Sequence, residues 1–129
     1  MDTDGHGSKL PEGELTHAII GAAFEVLNEI GHGLREKTYE NSLVVELGLR
    51  RVAFQQQRAF EIRYKSVRVD AFVPDLIVGE RVLVDAKVVE RITDLERGQM
   101  LNYLKVTQLR VGLIINFKKP RLEWERVVR

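Results

Sequence analysis

With 129 residues, 44% of them hydrophobic and 30% charged, the chain suits one globular domain and is not a disordered polymer. The absence of cysteine removes disulfides, zinc-thiolate sites and a thiol nucleophile. A net charge of +1 gives no bulk basic field for nucleic acid, although residues 1–49 hold three Lys/Arg against nine Asp/Glu and residues 101–129 hold seven against two.

Residues 1–12, rich in Gly and Asp, read as a flexible tail ahead of one domain over residues 13–129. The opening residues lack the order of a signal peptide. No apolar run approaches the ~20 residues of a membrane helix. A cytoplasmic location and no membrane partner are expected. Leu15, Ile19, Ala22, Ala23, Val26, Leu27 and Ile30 follow a helical period, and Gly31 ends it. Gly31-His32-Gly33 connects to a second helix, about Arg35 to Leu47, with Tyr39, Leu43 and Leu47 on one side and Gly48 as its stop.

Phe60, Ile62 and Tyr64 then alternate with charged residues, as in a half-buried strand. Val67, Val69 and Ala71 begin a second strand, expected to run on through Val78. Arg81 to Val89 reads as a third strand, apolar on both faces except at Asp85 and Lys87, which predicts a central place in a sheet. Thr93-Asp94-Leu95-Glu96 has the pattern of a capping box opening a helix to about Val106, with Met100, Leu101 and Leu104 as its core stripe. Gly98 in mid-helix costs about 1 kcal/mol relative to alanine and suggests a close approach. Arg110 to Phe117 is a fourth strand, and Leu122, Trp124 and Val128 suggest an edge strand after Pro120. The predicted order is α-α-β-β-β-α-β-β.

Asp85 and Lys87 share one strand face, roughly 7 Å apart at ~3.3 Å per residue. Charges in a central strand are costly to bury unless compensated. They form either an ion pair at the strand end or part of a site. Asp75 adds a third charge among apolar residues, in the neighbouring strand. Two close carboxylates repel unless one is protonated or a cation sits between them. Mg²⁺ suits such a site, since it accepts two carboxylates plus waters and phosphate. The lysine can act on the attacking water or stabilise charge on phosphate. Register decides the matter. A two-residue loop, Gly79-Glu80, would send Asp75 and Asp85 to opposite faces, whereas a three-residue loop, Gly79-Glu80-Arg81, would set them opposite each other. A bulge or a twist near Pro74 would also serve, and one of these offsets is predicted. Gln99 and Tyr103, four apart on one helical face, can contact phosphate or base, or form an ordinary helix edge.

Pro74-Asp75 followed by Asp85-Ala86-Lys87 resembles the PD-(D/E)xK signature of a nuclease superfamily, and Gln99-Met100-Leu101-Asn102-Tyr103 resembles the QxxxY motif of its RecB-like branch. Gly33-Leu34-Arg35-Glu36-Lys37-Thr38-Tyr39 is similar to the GxxExxY family, as are Gln99 to Leu104 and Gly112 to Phe117. The resemblance implies a restriction-endonuclease-like α/β core (α-β-β-β-α-β), with a mixed central sheet flanked by helices. It implies a Mg²⁺-dependent nuclease acting on DNA or RNA, with Mn²⁺ as the other ion. Asp75, Asp85, the Ala86 carbonyl and Glu36 would bind metal. Lys87 would act on the water or the phosphate, and Gln99 and Tyr103 would contact substrate. Glu40, one turn beyond Glu36, can reach a similar point, and Glu36 also suits a helix start. Asp85 stands where glutamate is common, and His32 where proline is common.

Two other classes remain open at this level: a non-catalytic nucleic-acid-binding or protein-interaction module on a nuclease fold, and a structural partner that dimerises through the helix of residues 15–30 or the final strand. His6, His17 and His32 lack zinc-ligand spacing and read as surface residues.

Overall fold

The structure, a computed structural model, describes residues 12–129. The expected tail and His6 lie outside the described residues, except Glu12. That residue precedes the first helix, α1 (Gly13–Ile30), which ends at Gly31 with φ +75°. Such a left-handed exit suits glycine. The second helix is α2 (Glu36–Leu49). Gly48 does not stop it; the helix closes one residue later, where Arg50 N donates to the Glu46 carbonyl and Val52 N to the Leu47 carbonyl.

The strands are β1 (Phe54–Gln56), β2 (Phe60–Tyr64), β3 (Val67–Phe72), β4 (Leu76–Val78) and β5 (Val82–Lys87). The helix α3 (Asp94–Thr107) follows, then β6 (Val111–Asn116) and β7 (Glu123–Val128). A mixed sheet runs in the order β1-β4-β5-β6-β7, with β5 at its centre. The β5–β6 pair is parallel, with α3 as the crossover, and the other pairs are antiparallel. This is the expected α/β architecture.

Two strand expectations are corrected. The run from Val67 to Val78 is not one strand: it breaks between Phe72 and Leu76, where Pro74 has no amide to give a ladder. The piece before the break pairs only with β2, as a separate hairpin, and the piece after it joins the main sheet. The short β1 was not anticipated; three residues of Phe-Gln-Gln carry too little alternation to announce a strand.

Period two along β5 divides the core. Val82, Val84 and Ala86 face α1 and α2, with Ile19, Ala23, Tyr39, Leu43 and Leu47. Leu83 belongs to the other layer, with Met100, Leu104 and Ile114, so Asp85 and Lys87 face α3. Tyr39 stacks on Phe117 with ring centroids 4.6 Å apart. Its hydroxyl donates to the Gly31 carbonyl at 2.7 Å and accepts from Leu34 N at 3.1 Å. The ring thus fills the core while its polar tip fixes the connector that delivers Glu36. The α3 capping box forms as expected: Thr93 Oγ1 accepts from Leu95 N, and Glu96 accepts from Thr93 N at 2.7 Å. Leu101 is not core, being 44% exposed. Gly98 meets nothing within 4 Å; the close approach is at Gly112 in β6, over which Met100 packs.

Candidate metal and phosphate site

The loop between β4 and β5 has three residues, for Val78 pairs with Val82 and Leu76 with Val84. Continued by one step, that register sets Asp75 opposite Asp85, the offset that the sequence predicts. Asp75 follows Pro74 at the point where the chain enters the sheet. Its Oδ2 accepts from Ala86 N at 2.9 Å. Within a strand, a residue's amide and carbonyl leave on the same edge. The Ala86 carbonyl therefore leaves β5 toward Asp75, beyond the last β4 pair.

The two carboxyl groups lie within hydrogen-bonding reach of each other. Burial, the charge of Asp85 and that contact push Asp75 up to about 7, against the opposing Ala86 amide. Asp85 is raised by burial, with Lys87 opposing. Lys87 Nζ lies 3.4 Å from Asp85 Oδ2. Burial favours its neutral form, but Asp85, Glu36 and Tyr103 outweigh that and hold it above its ordinary value. In the bare site, then, Lys87 is an ammonium and the two aspartates share a proton near neutral pH.

These groups open into a cleft of about 130 Å³, lined also by Phe72, Pro74 and Tyr103. Phe72, from the end of the hairpin, stacks on Tyr103 at 4.0 Å. One face of the tyrosine ring is thereby covered, and Tyr103 lines the cleft together with Lys87. This favours phosphate contact over base stacking for Tyr103. Gln99 lies one turn earlier, partly exposed, and its side chain makes no hydrogen bond among the described residues.

The two glutamates differ in their engagement. Glu40 is 4% exposed and accepts from Gln56, Gln57 and Lys37 at 2.7, 2.7 and 3.1 Å. Burial raises its pKa, but these donors outweigh burial and lower it. Glu36 is exposed and accepts one bond among the described residues, from Val88 N at 3.1 Å. Its charge acts on Asp85 and Lys87, whereas that of Glu40 acts on Asp75. Glu40 is thus tied to β1 and the following loop, and Glu36 is the freer carboxylate. No pattern pointed to Gln56 and Gln57, because β1, which ends at Gln56, was not legible. Phe72 was hidden inside a strand expected to be continuous.

A divalent ion can replace the proton that the aspartates share. Among the described residues, no three Asp, Glu, His or Cys side chains form a metal cluster by themselves. Two carboxylates and a carbonyl fit a hard ion that keeps waters and takes phosphate oxygen, and do not fit zinc held by nitrogen or sulfur. His17 and His32 are exposed, as expected. Among the described residues, no helix is long and apolar enough to cross a membrane.

The model of one protein family, described as the PD-(D/E)XK nuclease superfamily, matches residues 13–127. No curated protein and no solved structure matches the chain.

Proposed function

The chain belongs to the PD-(D/E)XK nuclease superfamily, and from that premise we propose that it hydrolyses phosphodiester bonds in DNA or RNA with a divalent metal, Mg²⁺ or Mn²⁺. The observation that carries the reading is the Val78–Val82 register, which gathers Asp75, Asp85 and Lys87 at one end of β5. A nuclease-like fold is common ground for the superfamily, whose members typically use divalent metals. The Gly33–Tyr39 and Gln99–Tyr103 motifs support a narrower place among GxxExxY proteins of the RecB-like branch.

Asp75, Asp85 and the Ala86 carbonyl would hold the ion, and Glu36 would act on it through water. When bound, the ion supplies charge to the phosphate and acidity to its water. The chain's own groups do the rest. Lys87, charged and anchored by Asp85, stabilises negative charge building on the phosphoryl oxygens. The Tyr103 hydroxyl and the Gln99 amide hold the phosphodiester on the α3 side of the cleft. Phe72 and Pro74 wall the cleft, which limits water and strengthens these charges.

The test is cleavage of plasmid, linear and single-stranded DNA and of RNA, with Mg²⁺ or Mn²⁺ against EDTA, beside Asp75→Ala and Lys87→Ala. Metal-dependent cleavage that both substitutions abolish is expected. Folded protein that cuts none of these substrates with either metal overturns the proposal.

A further inference from the structure

The sheet end that carries Lys87 is built up by two loops, residues 88–93 after β5 and residues 117–122 after β6. Their basic residues are Arg91, Lys118, Lys119 and Arg121, all exposed. Their one acid, Glu90, pairs with Lys119 at 3.1 Å in open solvent, where such a pair is weak. Arg91, Lys118 and Arg121 form no ion pair among the described residues. Four basic groups against one acid give these loops a net charge of +3, in a chain whose total is +1.

The loops are held by one buried amide. Asn116, the last residue of β6, is 2% exposed. Its Oδ1 accepts from Val89 N at 3.0 Å and from Lys118 N at 3.2 Å. Its Nδ2 donates to the Val89 carbonyl at 2.8 Å and to Glu123 at 2.9 Å. Glu123 in turn accepts from Ile92 N at 3.1 Å. Phe117 N donates to the Lys87 carbonyl at 2.9 Å. Both loops are therefore fixed to each other and to the backbone of Lys87. Long flexible cations on a fixed base lose less freedom on binding than cations on a mobile loop.

The site itself needs such a counterweight. Asp75, Asp85, Glu36 and Glu40 gather at one end of the sheet, and even with the shared proton and the Lys87 ammonium they leave a net negative charge that disfavours a polyanion. We infer that the rim of Arg91, Lys118 and Arg121, positioned by Asn116, is the surface that grips the phosphate backbone beside the scissile bond. The inference rests on the nuclease reading and adds to it the direction in which the strand leaves the cleft: past the ends of β5 and β6, toward β7. The partner is recognised by its phosphates, so the rim serves DNA and RNA alike.

The test is binding in EDTA, where no cleavage is needed. Fluorescence anisotropy follows labelled single strands and duplexes of DNA and of RNA over a range of salt. The triple variant Arg91→Gln, Lys118→Gln, Arg121→Gln is compared with a variant of equal charge at the opposite sheet end, Lys105→Gln, Arg110→Gln, Arg129→Gln. Circular dichroism checks that both fold. The rim variant should bind at least about tenfold more weakly at low salt, and its slope of log K against log salt should fall by about 2–3, near 0.7–0.9 per phosphate contact. The opposite-end variant should change far less. Equal losses in the two variants, no loss at the rim, or no binding by the unsubstituted chain overturns the inference. Cleavage with Mg²⁺ is scored separately. Normal cutting by the rim variant, together with unchanged binding, sinks the rim and spares the nuclease. Rim-dependent binding without cutting does the reverse.

Discussion

Asp75→Asn should make the metal-free protein more stable at pH 8 and blind to metal. The Asp75 carboxyl is pushed from its ordinary 3.8 to about 7 in the fold, by burial first and by Asp85 next. A folded pKa above the unfolded one means that the native state holds a proton which the unfolded chain releases. The associated stability is complete below about pH 4 and is lost as pH rises through 7. The full shift corresponds to roughly 4 kcal/mol. Asp75 is only partly buried, and solvent screening brings the usable figure to about 1–2 kcal/mol. Asparagine is neutral at every pH, keeps an oxygen for Ala86 N and offers Asp85 a donor in place of the shared proton. In EDTA, thermal unfolding of the unsubstituted chain should therefore fall by roughly 3–8 °C between pH 5 and pH 8. Asp75→Asn should show little of that slope and unfold higher at pH 8. Added Mg²⁺ should raise the unsubstituted chain's midpoint more at pH 8 than at pH 5.5, since at lower pH the ion must displace a proton. The substituted chain should not respond. An Asp75→Asn protein less stable than its parent at pH 8, or a parent without pH dependence, refutes the reasoning.

Asn116→Ala should cost about 2–4 kcal/mol by denaturant unfolding, because it strands Val89 N and O and Lys118 N at a site 2% exposed. Gly112→Ala should cost about 1–3 kcal/mol, since the new Cβ overlaps Met100 and would sit 2.8 Å from its Cγ. A double variant with Met100→Ala should cost less than the sum of the single changes. Glu36→Gln should leave the unfolding midpoint within about 0.5 kcal/mol of the parent while lowering metal-dependent cleavage. Glu40→Ala should destabilise by about 1–3 kcal/mol, because it releases Gln56, Gln57 and Lys37 together. Paired cleavage and unfolding assays distinguish the two glutamates.

The elements that were legible carry strong local signals. Leu15 to Ile30 keeps one helical period through more than four turns, and Thr93 with Glu96 satisfies amides that any helix start leaves open. The continuous apolar run of β5 says that both faces are covered, which holds only in the middle of a sheet. The misread stretch, residues 67–78, alternates from Val67 to Ala71 and turns continuously apolar from Leu76 to Val78, and both patterns suit a strand. Periodicity reports which face a residue takes and says nothing about which partner strand it meets. The change of sheet at Pro74 is a tertiary event, set by Phe72 docking on Tyr103 and by β4 joining β1 and β5.

The site was legible for a narrower reason. Three charges stood where apolar residues were due, and a one-residue offset, from a three-residue loop or from a bulge or twist near Pro74, was needed to bring Asp75 and Asp85 to one face. What the pattern could not reveal was how each charge is held. Asp75 is oriented by a backbone amide, Ala86 N, and any residue type except proline at position 86 supplies one. Glu40 is held by Gln56, from a strand too short to detect, and by Gln57 just after it. Asn116, buried among the apolar residues of β6, broke its pattern much as Asp85 broke that of β5, yet an asparagine carries no charge to force the question of its partner. A buried amide and a buried carboxylate pose the same demand for satisfied hydrogen bonds. At this end of the sheet the two answers meet, because Asn116 is the register partner of Lys87. The residue that ties the two basic loops together and the residue proposed to act on the phosphate therefore sit side by side on parallel strands, so on that proposal any shift of β6 against β5 would disturb binding and chemistry together.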